Sequence, residues 1–216
     1  MAEQEKPKGP RAYRMGRRRD GLEATRQRIA EAAFELHATV GPAQTSISAV
    51  AERAGVQRHT VYNHFPDMTS LIRACTDHGM RITGVPEAGP WRAVEDPSAR
   101  LRLGLDDLYG YYRANARLLG NVIRDLPVVG IGGSEPFMER MGELFSALAD
   151  GWPGEAATQR MRMAAMGHAM AYETWRSLTD RGLSDPEARD LMLQLVTGVD
   201  GGDAAAQRVT PRGPGS

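Results

Sequence analysis

The stretch from Thr45 to His64, TSISAVAERAGVQRHTVYNH, decides the fold. Within it Ile47, Val50, Ala51 and Ala54 recur at i, i+3, i+4 and i+7, which is one face of a helix. Thr45 and Ser46 stand just ahead as candidate N-caps. Gly55 follows the last apolar position, where a residue free to take positive φ lets the chain leave a helix and turn. A second helix can restart within about three residues, the connection that a helix-turn-helix requires. Its core-facing residues are Val61 and Phe65. The opposite face carries Gln57, Arg58, His59, Thr60, Tyr62, Asn63 and His64, nearly all hydrogen-bonding or cationic groups able to touch DNA.

Working outward, Gly21 to Val40 predicts a helix before this motif. Ile29, Ala33, Leu36 and Val40 form its apolar stripe, and Gly41-Pro42 stops it. After the motif, Pro66 disfavours helix at Phe65, and Asp67 can cap a new helix from Met68 to about Arg81 with Leu71, Ile72 and Cys75 on its apolar face. The first helix packs behind the two of the motif to make a three-helix unit, and residues 21–81 form the DNA-binding domain around the motif 45–64.

The rest of the chain also reads as helices. GVPEAGPWRAVEDP, from Gly84 to Pro97, is rich in Pro and Gly and marks a domain boundary, with Trp91 folding back onto apolar surface. Residues 98–200 make a second domain. Leu101, Leu105, Leu108 and Tyr112 form one stripe; Leu118, Leu119, Val122, Ile123 and Leu126 form another, ended by Pro127. VVGIGGSEP is a loop. The next helix carries Phe137, Met141, Leu144, Phe145 and Leu148, and an uninterrupted pattern runs from about Glu155 to Asp180. Ser184-Asp185-Pro186 opens the last helix, which carries Leu191, Met192, Leu195, Val196 and Val199. Residues 201–216 form a polar, disordered tail.

Composition agrees with an all-α protein. Apolar residues make up 41% of the 216, ordinary for a chain with a core, while aromatics are only 6% and β-branched runs are missing. Lys plus Arg equals Asp plus Glu at 27 each, so the distribution of charge carries the information. Residues 1–20 hold Lys6, Lys8, Arg11, Arg14, Arg17, Arg18 and Arg19 against Glu3, Glu5 and Asp20, a net of +4. That predicts a basic disordered arm on a mildly acidic body, with Arg17, Arg18 and Arg19 reaching DNA. The lone Cys75 excludes an intramolecular disulfide and any zinc site needing two cysteines of one chain. With no leader-like apolar segment and no apolar run of about 18 residues, the chain is expected in the cytoplasm and off the membrane.

Other chemistries find no support in the residues. His59 and His64 are separated by about 140° on a helix, so they share no face for a metal. The Gly130–Gly133 segment lacks a GxGxxG order and a phosphate-binding Lys, which leaves a plain connector. No GxSxG or HExxH occurs, and Cys75 has a helix-core address, so no catalytic residue, cofactor or metal is expected. His37 reads as an ordinary helix residue and His78 as an exposed one. His168 lies mid-helix among Met and Ala, where a buried imidazole needs a partner.

The motif and its flanking helices resemble the DNA-binding domain of TetR-family transcriptional regulators. The likeness rests on Ile29-Ala30 and Ala32-Ala33, Val50-Ala51, Ala54-Gly55-Val56, Thr60-Val61-Tyr62, His64-Phe65 and Leu71, and spans roughly residues 22–80. YYRANARLLGNVIRDLP and YETWRSLTDRGLSDPEARDLM also look like the regulatory domains of actinobacterial-type members.

The resemblance implies a homodimer that binds a palindromic double-stranded operator and usually represses, with a helical C-terminal domain holding an effector pocket. By position, Gln57, Arg58, His59 and Asn63 would face bases, while Thr60, Tyr62 and His64, with Thr45 and Ser46, would hold phosphates. Met68 stands where family members commonly carry a phosphate-binding Lys. The chemistry agrees: Arg58 suits guanine O6 and N7, Asn63 suits adenine, and phosphate contacts set register. Segments 155–180 and 184–199 are the expected dimer interface, as a four-helix bundle. Tyr109, Tyr112, Phe137, Met141, Met163, Met166, His168, Met170 and Trp175 are either core and interface residues or the lining of a pocket for a mostly apolar effector. Two rivals stay open: an effector-free or activating DNA-binding dimer, and a helical ligand-binding protein that has lost DNA affinity.

Overall fold

Helices account for all the regular structure among the described residues, 10–129 and 135–200 of the computed structural model. In chain order they are α1 (Pro10–Thr39), α2 (Ile47–Arg53), α3 (Arg58–His64), α4 (Met68–Thr83), α5 (Ala88–Arg92), α6 (Pro97–Ala114), α7 (Ala116–Val129), α8 (Glu135–Ala149), α9 (Ala156–Met170), α10 (Tyr172–Thr179) and α11 (Asp185–Thr197). They divide into two compact units. The first runs to Ile82 and takes in Gly120–Pro136; the second holds Thr83–Leu119 and the chain from Phe137.

In the first unit the predicted apolar stripes meet except at Val40, which lies past the end of α1 and is exposed. Ile29, Ala33, Val50, Ala51, Val61, Phe65, Leu71 and Cys75 share one buried core. Each large aliphatic or aromatic side chain removed from water there contributes roughly 1.5–3 kcal/mol. The first helix starts at Pro10, ahead of the Gly21 predicted, so the expected disordered arm is helical over its described part. Pro at the first helical position followed by Arg, Ala and Met is a favourable helix opening, which the charge count masked. Residues 1–9 lie outside the described residues, as does the 201–216 tail.

In the second unit α11 packs against α6 and α9, and α5 packs on α6. The core is Trp91, Leu101, Leu105, Leu108, Tyr109, Leu144, Leu148 and Met166. The Pro/Gly stretch predicted as a boundary contains α5, and Trp91 is wholly buried with its Nε1 donating to Asp107 at 2.7 Å. Ser184 caps α11 in a capping box with Glu187, at the predicted opening.

Three readings of the second half are corrected. Pro127 does not end its helix: α7 continues to Val129, because a proline near the C-terminal end removes a single amide donor. The expected loop therefore loses Val128 and Val129 to α7 and Glu135 and Pro136 to α8, and its middle, 130–134, lies outside the described residues. The uninterrupted 155–180 helix is broken at Ala171, whose backbone is extended at φ −72 and ψ 134. No Pro or Gly marks that position. Instead the Tyr109 hydroxyl donates to the Ala169 carbonyl at 2.8 Å and the Tyr112 hydroxyl to the Met170 carbonyl at 2.5 Å. Two tyrosines of α6 thus satisfy carbonyls that a continuous helix would pair with its own amides.

Candidate nucleic-acid interface

Ser46 caps α2, its Oγ accepting the Ala49 amide at 3.1 Å. The helix ends at Ala54, after which Gly55 takes φ 64. The Val56 amide then reaches back to the Ala51 carbonyl at 3.0 Å and the Gly55 amide to that of Glu52 at 3.1 Å. This paired return is a Schellman motif, and it aims the chain into the next helix without leaving carbonyls unpaired. Gln57 then caps α3 from an extended backbone.

Helix α3 is held on one side and open on the other. Val61 and Phe65 are buried, whereas Gln57, Arg58, His59, Tyr62 and Asn63 are exposed and Thr60 and His64 half-buried. Arg58 pairs within α3: its Nη2 donates to the Tyr62 hydroxyl at 3.1 Å and its guanidinium lies over that ring. Of the two residues expected at the start of α2, Ser46 is exposed. Thr45 is half-buried and donates its hydroxyl to the Gly41 carbonyl at 2.8 Å. Arg19 is exposed on α1, the helix that also contains Arg17 and Arg18. Met68 opens α4 and is exposed, behind Asp67, whose carboxylate accepts the Ser70 amide at 2.7 Å.

Several residues that shape this surface were not legible in advance. Arg26 of α1 donates to the His64 carbonyl at 2.7 Å and so closes the C-terminal end of α3. His37 and Cys75 form a buried pair, Sγ to Nδ1 at 3.3 Å, and burial lowers the His37 pKa to about 4 and pushes the thiol up to about 12. His78, expected to be exposed, is buried against the edge of Phe34. Its place on the inner face of α4 follows from its spacing of three beyond Cys75.

The sequence profile of bacterial regulatory proteins of the tetR family matches residues 29–75, the core of this unit. The HTH-type transcriptional repressor Rv3405c of Mycobacterium tuberculosis is 27% identical over 183 residues, which cover 83% of this chain and 81% of that protein. Residues 29–75 form a TetR-family DNA-binding domain. The HTH-type transcriptional regulator SrpR of Pseudomonas putida is 33% identical over 78 residues, and there the match spans 37% of the relative's length. A TetR-family transcriptional regulator from Streptomyces coelicolor superimposes with a TM-score of 0.56 at 20% identity, over 85% of this chain and 83% of the other. RolR, solved in complex with resorcinol, gives a TM-score of 0.51 at 19% identity over 89% and 98%. The α2–turn–α3 motif is therefore the TetR-family helix-turn-helix, and this chain is a DNA-binding transcriptional regulator.

The residues predicted to line an effector pocket fall in the second unit, in three settings. Tyr109, Tyr112, Met166, Met170 and Trp175 are buried; Phe137, Met141 and Met163 are half-buried; His168 is exposed, with Nδ1 3.2 Å from the Thr174 hydroxyl. An open cleft at the α10–α11 turn, lined by Arg113, Leu183 and Pro186 among others, includes none of the nine. Among the described residues no helix is long and apolar enough to cross a membrane.

Proposed function

We propose that this chain is a homodimeric, non-enzymatic repressor, working in the cytoplasm, that binds a palindromic double-stranded operator and is released by a small, mostly apolar effector. The observation that carries the reading is the two-sided recognition helix, anchored by Val61 and Phe65 and open along Gln57, Arg58, His59 and Asn63. In this reading those four residues face bases. Thr45, Ser46, Thr60, Tyr62 and His64 hold phosphates, with Arg17, Arg18 and Arg19 adding charge from α1. The N-termini of helices supply amide donors for the same phosphates.

A second copy is supported by α9 and α11. Ala157, Met161, Ala164 and His168 lie outward on α9 at i, i+4, i+7 and i+11, a stripe of mostly small or apolar groups. Met161 is 53% exposed, and Leu191 and Leu195 on α11 are 43% and 45% exposed. Apolar groups on both faces of a helix call for a partner on each side. The second copy would set two recognition helices about 34–36 Å apart, or a multiple, to match successive major-groove faces. The resorcinol complex of RolR supports a small aromatic effector.

One observation favours an effector-free regulator instead. The Tyr109 and Tyr112 hydroxyls are spent on backbone carbonyls, and Met166 and Trp175 are packed into the core.

Selection of bound sequences from random duplex DNA tests the main reading. A palindrome with salt-dependent affinity is the expected result, and no enrichment would sink the DNA-binding claim. Thermal-shift screening with phenolic compounds separates the two versions: a binder that lowers operator affinity supports release, because effector and DNA must antagonise each other reciprocally.

A further inference from the structure

One face of α7 reaches the connection that aims the helix-turn-helix. Asn121, Arg124 and Asp125, at i, i+3 and i+4, fall on one side of that helix, and all belong to the first unit. Asn121 Nδ2 donates to the Ala38 carbonyl at 3.1 Å, Arg124 Nη2 donates to the Val40 carbonyl at 3.1 Å, and Asp125 Oδ2 accepts the Ala43 amide at 3.0 Å. The three side chains also bind one another. Arg124 Nε donates to Asp125 Oδ1 at 2.7 Å and Nη1 to Asn121 Oδ1 at 3.1 Å.

The connection is fitted to this group. Asp125 is 4% exposed, and Gly41 has φ 98, where a Cβ would collide with both the Asp125 carboxylate and the Arg124 guanidinium. The carbonyls of Ala38 and Val40, at and just past the end of α1, and the amide of Ala43 are each met by a side chain of α7. Ser46, the cap of α2, comes three residues after Ala43. Whatever fixes Ala43 therefore fixes where α2 begins and where α3 points.

We propose that Asn121, Arg124 and Asp125 are positioning residues, a latch through which α7 holds the α1–α2 connection in the register that DNA requires. The inference rests on the DNA-binding reading above and gives α7 a hold on the helix-turn-helix. Charge-assisted bonds at a buried carboxylate are the strong kind, so removing one partner should loosen the connection rather than leave it in place.

The test uses the full chain with Asp125→Asn, and with Arg124→Gln as a second variant at a largely exposed side chain that leaves the core untouched. Two readouts are taken well below the unfolding temperature: affinity for the selected operator against affinity for random duplex, and amide exchange of α2 in the absence of DNA. Both variants should bind operator at least tenfold more weakly while random-duplex affinity stays within twofold, and the Val50 and Ala51 amides should exchange at least fivefold faster. If operator affinity is unchanged and only the melting temperature falls, the residues are structural and the latch is overturned. If the parent chain selects no sequence, the DNA-binding reading falls, and exchange decides the latch: unchanged α2 exchange overturns it. Should Asp125→Asn fail to fold, Arg124→Gln decides alone.

Discussion

Arg26 stacks on Phe65, its guanidinium carbon 4.2 Å from the ring centroid, while Nη1 donates to the carbonyl of His64. One side chain of α1 thus covers the aromatic anchor of the recognition helix and satisfies a carbonyl at its C-terminal end. Cation–π contact and a charged hydrogen bond to an otherwise orphaned carbonyl each contribute about 1 kcal/mol or more. Arg26→Ala should therefore lower the unfolding free energy by about 1–3 kcal/mol in urea. Arg26→Lys should recover less than half of that, because an ammonium does not reproduce the planar stack. A loss below about 0.5 kcal/mol for the alanine variant would mean that the contact carries no stabilisation.

Gly41 and Gly55 flank the same motif and should respond differently to alanine. Both have positive φ, 98 and 64. At Gly55 a Cβ meets open space, so Gly55→Ala costs only the left-handed backbone strain, about 1 kcal/mol. At Gly41 ψ is 159, a region almost reserved for glycine, and the Cβ also strikes the Asp125 and Arg124 side chains. Gly41→Ala should cost more than about 2 kcal/mol. Chemical denaturation of the two variants side by side measures the difference, and equal losses would contradict the collision.

These contrasts show where the sequence was informative. The helix-turn-helix was legible because all its determinants are local: an apolar period, a capping serine, one glycine at the turn and two anchors on α3. The latch was not, since nothing near Asp125 in the chain announces that its partner is the amide of Ala43. The break at Ala171 escaped for the same reason, because its cause is a pair of hydroxyls on α6 rather than a Pro or Gly in the segment itself. Periodicity assigns faces but does not say which polar groups on distant helices will meet. The side chains left exposed on α3 could be named from sequence; those that hold that helix in place required tertiary structure.

Protonation of His37 should set part of the acid response. Burial lowers its pKa from 6.5 to about 4, opposed by the nearby Asp125 carboxylate, while the unfolded chain takes up the proton near 6.5. Between those values the unfolded state binds more protons, so stability is full above pH 6.5 and falls as pH drops towards 4. The loss attributable to this group reaches about 3 kcal/mol at the lower end. Comparing His37→Gln with the parent chain cancels the carboxylates common to both. The parent should lose stability more steeply between pH 7 and 4.5, and parallel curves would assign the acid response elsewhere.

Met68 offers a gain of function. It is the first residue of α4 and 43% exposed, at the position where the TetR-family resemblance implies a phosphate-binding lysine. The carboxylate of Asp67 precedes it but is engaged by the Ser70 amide, which holds that carboxyl below the usual range. Adjacent helix residues do not face each other, so a lysine at 68 would be left free to reach DNA rather than be captured by Asp67. Met68→Lys should tighten operator and random-duplex binding together, since a phosphate contact carries no sequence information. The slope of log affinity against log salt should steepen by about 0.9, the release of one further counterion. Filter binding across a salt series reads both quantities. A steeper slope with an unchanged selected sequence would place residue 68 beside the backbone of the duplex, and an unchanged slope would place it away from DNA.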